Sequence, residues 1–176
     1  VHERLPLAWT LASGDVARDL AEAHARLEQK RHRIFKIKIG ARTPQEDVAL
    51  VTTVARELGG NARLTVDVNQ AWDGNTAGAN WRKRADAGAV LVEQPVPRWN
   101  VEAMAERPGL PLRSLVMADE TVCTPQDALL LARRRAAHVF SLKVAKHGGL
   151  IRTRKVAAIA EAADIGWYGG TMLETS

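Results

Sequence analysis

Three acidic residues, Asp67, Glu93 and Asp119, each close a short apolar run, and they are spaced 26 residues apart, from 67 to 93 and from 93 to 119. Lysines extend the ladder on both sides: Lys38 ends the run that starts at Ile34, and Lys143 ends the run that starts at Val139. The carboxylates offer only hard oxygen donors. With no His or Cys at matching positions, the set favours Mg2+ or Mn2+ over Zn2+. Taken singly, each acid reads more simply as a helix cap or a surface group. Three in phase do not, because charges at buried strand ends are costly unless paired or liganded.

Lys36 and Lys38 are two residues apart and so share one face of their strand. If that face looks into a barrel, the two ammonium groups crowd each other and each lowers the other's pKa toward neutrality, which suits general acid–base work. The other orientation is an exposed edge strand, with the lysines outward and Phe35, Ile37 and Ile39 inward. Lys143 would face Lys38 across the metal, and Lys146 competes with it for that role. Asn69 and Gln94 read either as supports beside the metal ligands or as loop caps. Glu120 reads either as orienting Lys38 or Lys143 or as simply solvated, Glu174 as lining the pocket without binding the metal, and His147 as a candidate in the loop beside Gly148. Cys123 reads as a filler thiol, and Trp9 and Trp72 as packing residues.

A strand, a helix and two loops fill about the spacing that separates these charges. The expected strands are Leu5 to Leu11, Ile34 to Ile39, Arg63 to Val68, Ala89 to Glu93, Ser114 to Ala118 and His138 to Val144, with a seventh beginning near Ile165. Between them, Val16, Leu20, Ala23 and Leu27 fall on one helical face. Thr43, Pro44 and Glu46 form a capping box with proline at the first helical position, and that helix runs to Leu58. Thr124 and Pro125 start another helix, and an Ala- and Ile-rich helix follows Gly149 up to Ala163. The segment from Asp73 to Gly88 is a weak helix. A short helix around Val101 to Glu106 is ended by Pro108 and Pro111. The fold expected is α/β: a partial TIM-type (β/α) barrel of about seven strands, one catalytic domain over residues 1–176, with its charged residues at the carboxyl ends of the strands.

The 176 residues suffice for one domain with a core but are short of the roughly 250 of a complete barrel. No apolar run approaches a membrane span, no signal-peptide pattern opens the chain, and the one cysteine fits a reducing cytosol, so a cytoplasmic location is expected. A net charge of +5 with one Tyr and two Phe supplies no aromatic platform for bases, so nucleic acid is not an expected partner. A dianionic small substrate would profit from the same positive field.

Seven stretches together resemble a family, the muconate and chloromuconate cycloisomerases of the enolase superfamily. They are Ala8 to Asp15, Arg31 to Gly40, Val66 to Asp73, Glu93 to Pro95, Met117 to Glu120, Val139 to Lys146 and Tyr168 to Glu174. The resemblance implies that Asp67, Glu93 and Asp119 ligate the metal, usually Mn2+ in this branch. It implies that Lys38 is the acid/base, that Lys36 tunes it, and that Lys143 lies across the pocket. It further implies lactonisation of cis,cis-muconate, a small dicarboxylate of aromatic-compound catabolism, through an enolate that the metal stabilises and Lys38 protonates at its α-carbon. Intact members are expected to be homo-oligomers. The family's capping domain and eighth strand have no counterpart in these residues, so the chain is expected to be a central barrel fragment. Two alternatives stay open: another branch with the same lysine pair, such as a dipeptide epimerase or an o-succinylbenzoate synthase, and a fragment that turns nothing over.

Overall fold

The structure, a computed structural model, describes residues 5–79, 88–106 and 115–172. Seven strands lie in it: β1 (Ala8–Leu11), β2 (Ile34–Lys38), β3 (Arg63–Asp67), β4 (Ala89–Glu93), β5 (Leu115–Ala118), β6 (Val139–Leu142) and β7 (Gly166–Gly169). They pair in chain order and every pair is parallel. Parallel neighbours need a return crossover, and helices provide it. These are α1 (Val16–Glu28), α2 (Pro44–Leu58), α3 (Val101–Ala105), α4 (Pro125–Arg134), α5 (Val144–His147) and α6 (Leu150–Ala162). Residues 74–79 are helical as well, which is the described part of the weak segment read from Asp73 to Gly88. Its remainder from 80 to 87, and Pro108, Pro111 and Ser114, lie outside the described residues.

Side-chain alternation decides which face does what. On β2, Phe35 and Ile37 are buried, and Leu64 and Val66 on β3 and Val51 and Val54 on α2 join the same apolar cluster. The alternate residues, Lys36 among them, face the other way, into a cavity of about 1020 Å³. Thr10, Lys36, Asp67, Glu93, Ser141 and Tyr168, drawn from six of the seven strands, all line that cavity, so the sheet curls around it as a partial barrel. The exposed-edge orientation of β2 is therefore not the one adopted; β2 sits between β1 and β3 with its lysines inside.

Local signals account for several element ends. Thr43 accepts from the Glu46 N–H and the Glu46 carboxylate accepts from the Thr43 N–H, so the reciprocal cap opens α2 with Pro44 at its first position. Thr43→Ala is expected to cost about 1 kcal/mol in urea unfolding, and Thr43→Ser to restore most of it. A cost near zero would mean that solvent serves the Glu46 N–H as well as the Thr43 hydroxyl does. Gly40 could not be replaced so mildly: at φ +100°, a Cβ there would lie 2.5 Å from the Ala71 Cβ and 2.9 Å from the Val68 carbonyl oxygen. That close approach brings the loop after β2 against the loop after β3.

Two boundaries depart from expectation by more than one residue. β1 begins at Ala8, not Leu5, and Leu5 and Leu7 are exposed. β6 ends at Leu142, because the chain from Val144 to His147 closes a single helical turn. Among the described residues no helix is long and apolar enough to cross a membrane.

Candidate active site

The parallel register lines up the charged ends. Lys38 pairs with Asp67, Asp67 with Glu93, and Glu93 with Met117, two residues before Asp119. Because side chains alternate, Asp119 returns to the face of Met117. All three acids are buried, at 2%, 1% and 3% exposure for Asp67, Glu93 and Asp119, although all three line the cavity. Such carboxylates must be compensated, and lysines compensate them here. The Lys36 Nζ lies 2.9 Å from Asp67 Oδ2 and 2.5 Å from Glu93 Oε2. The Lys143 Nζ lies 2.5 Å from Asp119 Oδ2, and the Lys146 Nζ 2.7 Å from Asp119 Oδ1.

This pairing corrects the expected electrostatics of the Lys36–Lys38 pair. Burial by itself would depress Lys36, but the charges of Glu93 and Asp67 outweigh it and hold its pKa above the ordinary lysine value. Lys36 is therefore a firm cation rather than a near-neutral amine. It faces the acids because β2, β3 and β4 are neighbours, whereas Lys38, on the same cavity wall, donates to the Asn69 Oδ1 at 3.2 Å. Glu93 is the strained member of the group. Burial pushes its pKa up to about 7; Lys36 opposes the shift, while the nearby charges of Asp67 and Asp119 reinforce it. At Asp119 burial also works against the charge, but Lys146 and Lys143 overcome it and hold the carboxyl below its usual range.

The supports lie in the loops after β3 and β4. Gln94 is fully buried and its amide is saturated. Its Oε1 accepts from the N–H groups of Asp119 and Thr121 at 3.0 and 3.1 Å, and its Nε2 donates to the Val96 carbonyl at 2.8 Å and the Thr121 hydroxyl at 2.7 Å. Asn69, Gln70 and Gln94 all adopt positive φ, at 46°, 69° and 36°, which costs free energy for residues with a side chain. Hydrogen bonds hold them there: Asn69 N–H donates to Asp67 Oδ1 at 3.1 Å, and Gln70 N–H to the Gln94 carbonyl at 2.8 Å. Asn69 also donates from Nδ2 to Glu120 Oε1 at 3.3 Å, so Glu120 reaches Lys38 through Asn69 and not directly. Across the cavity, Gly170 leaves room for the Lys143 stem: a Cβ there would lie 2.9 Å from Lys143 Cε.

Of the remaining candidates, His147 is buried with its Nδ1 2.9 Å from the Cys123 carbonyl oxygen, which ties the end of α5 to the loop after β5. It is absent from the residues that line the cavity. Cys123 lines the cavity, and its thiol donates to the Glu120 carbonyl at 3.4 Å. Trp72 is buried in the core, and Trp9 packs beneath the Arg26 guanidinium, 3.8 Å from the ring centroid. Glu174 lies outside the described residues. Sequence reasoning missed Arg98, which lines the cavity and whose N–H donates to the Gln70 Oε1 at 2.9 Å. The available signal was its place in the loop after β4, at the same strand ends as the acids.

As they stand, no three His, Cys, Asp or Glu side chains among the described residues are gathered closely enough to hold a metal ion, and the Lys36 ammonium bridges Asp67 and Glu93. The chemistry of the donors nevertheless fits a divalent cation. Three buried carboxylates press on one another, and the Glu93 Oε1 is buried without a hydrogen-bond partner. Asp67, Glu93 and Asp119 are the residues that could hold such an ion.

The family model described as enolase C-terminal domain-like matches residues 18–176. A chloromuconate cycloisomerase of Cupriavidus necator is 46% identical over 179 aligned positions, covering 100% of this chain and 47% of the relative. Muconate cycloisomerase 1 of Pseudomonas putida is 47% identical, with the same coverage. The crystal structure of muconate cycloisomerase from Pseudomonas fluorescens superposes with a TM-score of 0.92 at 50% identity, covering 97% of this chain and 47% of that one. The chain thus spans about half the length of the relatives it matches.

Proposed function

This chain belongs to the enolase C-terminal domain-like family, and we propose that it carries the acid/base and cation-ligand half of a cycloisomerase that interconverts cis,cis-muconate, or a chloromuconate, with muconolactone. The observation that carries the reading is the buried triad of Asp67, Glu93 and Asp119 at three neighbouring strand ends, facing one cavity with Lys38 and Lys143. Its likeness to muconate and chloromuconate cycloisomerases supports the choice of substrate.

In the forward direction an oxygen of one substrate carboxylate forms a C–O bond to the far alkene carbon. The π electrons move toward the other carboxylate and leave an enolate, and a proton from the Lys38 ammonium adds to its α-carbon. In reverse, neutral Lys38 takes that proton. Lys38 suits the task because its hydrogen bond goes to an amide oxygen, which orients the ammonium without binding it to a carboxylate. Mn2+ or Mg2+ held by Asp67, Glu93 and Asp119 would supply positive charge where the enolate develops. Lys36 holds Asp67 and Glu93 in place, and Lys143 projects over Gly170 from the opposite side.

A second carboxylate needs a second cation. Lys36, Lys143 and Lys146 each have an ion pair to the acids, so among the described cationic residues of the cavity Lys38 and Arg98 are the two with no ion pair there. A guanidinium offers two parallel donors to a carboxylate. Arg98→Gln is expected to raise KM for muconate about two- to fivefold with kcat little changed, as suits an exposed guanidinium, and an unchanged KM would remove Arg98 from substrate binding.

The direct test is a substrate panel with Mn2+: cis,cis-muconate, chlorinated muconates, Ala–Glu dipeptides and the precursor of o-succinylbenzoate, each followed by NMR. Muconolactone formation supports this reading. Turnover of a dipeptide or of the succinylbenzoate precursor alone would move the chain to another branch, and turnover of none would leave it a non-catalytic fragment.

A further inference from the structure

We propose that Lys146 is a positioning residue which, together with Gln94, clamps Asp119 so that only one of its carboxylate oxygens is presented for cation binding. The inference rests on the reading of Asp119 as a cation ligand and adds to it a residue that neither touches the cation nor acts on substrate.

Lys146 projects from the short helix α5, and its ammonium is nearly enclosed, with the side chain 9% exposed. Its Nζ donates to Asp119 Oδ1 at 2.7 Å, to the Asp119 carbonyl at 2.8 Å and to the Ser141 carbonyl at 2.8 Å. An ammonium has three N–H donors, and here each has an acceptor. None is left for a substrate. The Asp119 N–H is meanwhile bound by the Gln94 Oε1 at 3.0 Å. Three of the four polar atoms of Asp119 are thus engaged by two buried side chains, one from the loop after β4 and one from the helix after β6.

The fourth atom, Oδ2, meets only the Lys143 ammonium, at 2.5 Å. Lys143 makes this one contact, so its remaining protons stay available to the cavity. The two lysines compete for one role in the sequence but divide two roles in the structure: Lys146 fixes the acid and Lys143 faces the substrate. Lys146 is also joined to the strand end through Ser141, so it sets the direction of the Asp119 carboxylate relative to β6 as well as its charge.

Geometry and charge make opposite predictions, which renders the proposal testable. Removing a cation beside a metal site strengthens metal binding through relief of repulsion. Removing the group that orients a ligand weakens it, by about 10- to 100-fold for supports of this kind. The experiment is a calorimetric titration of the intact chain with Mn2+ alone, comparing wild type, Lys146→Met, Lys146→Arg and Lys143→Met, with thermal melts showing each variant folded at the titration temperature. Lys146→Met is expected to weaken Mn2+ about 10- to 100-fold, and Lys143→Met to leave the affinity equal or tighter. Lys146→Arg keeps the charge but cannot serve three oxygens from one point, so it is expected to weaken binding about threefold or more. It decides the matter if the methionine variant does not fold. Equal or tighter binding by Lys146→Met, or unchanged binding by Lys146→Arg, overturns the proposal. Absence of saturable Mn2+ binding in wild type overturns the cation reading itself, and the clamp with it.

Discussion

Replacing Lys38 by methionine is expected to lower muconate turnover about 10³-fold, within the range that a positioned general acid or base contributes. Lys38 is the cavity lysine without a carboxylate partner among those at the strand ends, and its ammonium is oriented by the Asn69 amide oxygen. A methionine has a similar length but no proton to give. The three carboxylates keep their own ammonium partners in this variant, because none of those contacts involves Lys38. Cation affinity should therefore stay within about twofold while proton transfer is lost, a separation that distinguishes chemistry from binding. Loss of muconate absorbance gives the rate, and deuterium uptake at the α-carbon of muconolactone in heavy water reports the proton transfer directly. A variant that still exchanges that proton within tenfold of wild type would assign the step to another group.

Lys36→Met is expected to destabilise the cation-free protein by about 3 kcal/mol, because it leaves Asp67 and Glu93 buried without their shared ammonium. The cost falls at the low end for a broken buried pair. Lys36 holds the Glu93 pKa down, so in its absence Glu93 takes up a proton more readily and one of the two buried charges is neutralised. Added Mn2+ should restore more stability to this variant than to wild type, since the ammonium and the ion draw on the same oxygens. Denaturant unfolding with and without Mn2+ measures both effects. Equal stability of the two proteins without Mn2+, or an equal gain on adding it, would mean that Lys36 and the ion do not share those acids.

The strands were readable wherever a buried parallel strand leaves a run of apolar residues ending in a charge. β4 from Ala89 to Glu93 and helix α2 from Pro44 to Leu58 appear with the ends expected from their sequence, because Glu93 and the Thr43 cap are sharp local signals. The start of β1 was less legible, since Leu5 and Leu7 are apolar but exposed, and hydrophobicity alone does not report whether a neighbour covers a side chain. The end of β6 was hidden by the apolar Val144 and Ala145, which suit a helical turn as well as a strand. At the site, residue types and the 26-residue spacing pointed to the acids and lysines that meet in the cavity. Their pairing was not readable. Whether Lys36 answers Lys38 or the carboxylates depends on β2, β3 and β4 being neighbours in register, a property of the sheet and not of the strand. Lys143 and Lys146, three apart, look interchangeable until the turn at Val144 places each against a different oxygen of Asp119.

The central claim is that Asp67, Glu93 and Asp119 together hold a divalent cation. A calorimetric titration of the chain with Mn2+, with Asp67→Asn and Glu93→Gln run alongside, tests it most directly. The account predicts saturable binding of one ion by wild type and its loss in both variants. Binding that persists unchanged in either variant, or that wild type lacks, would contradict it.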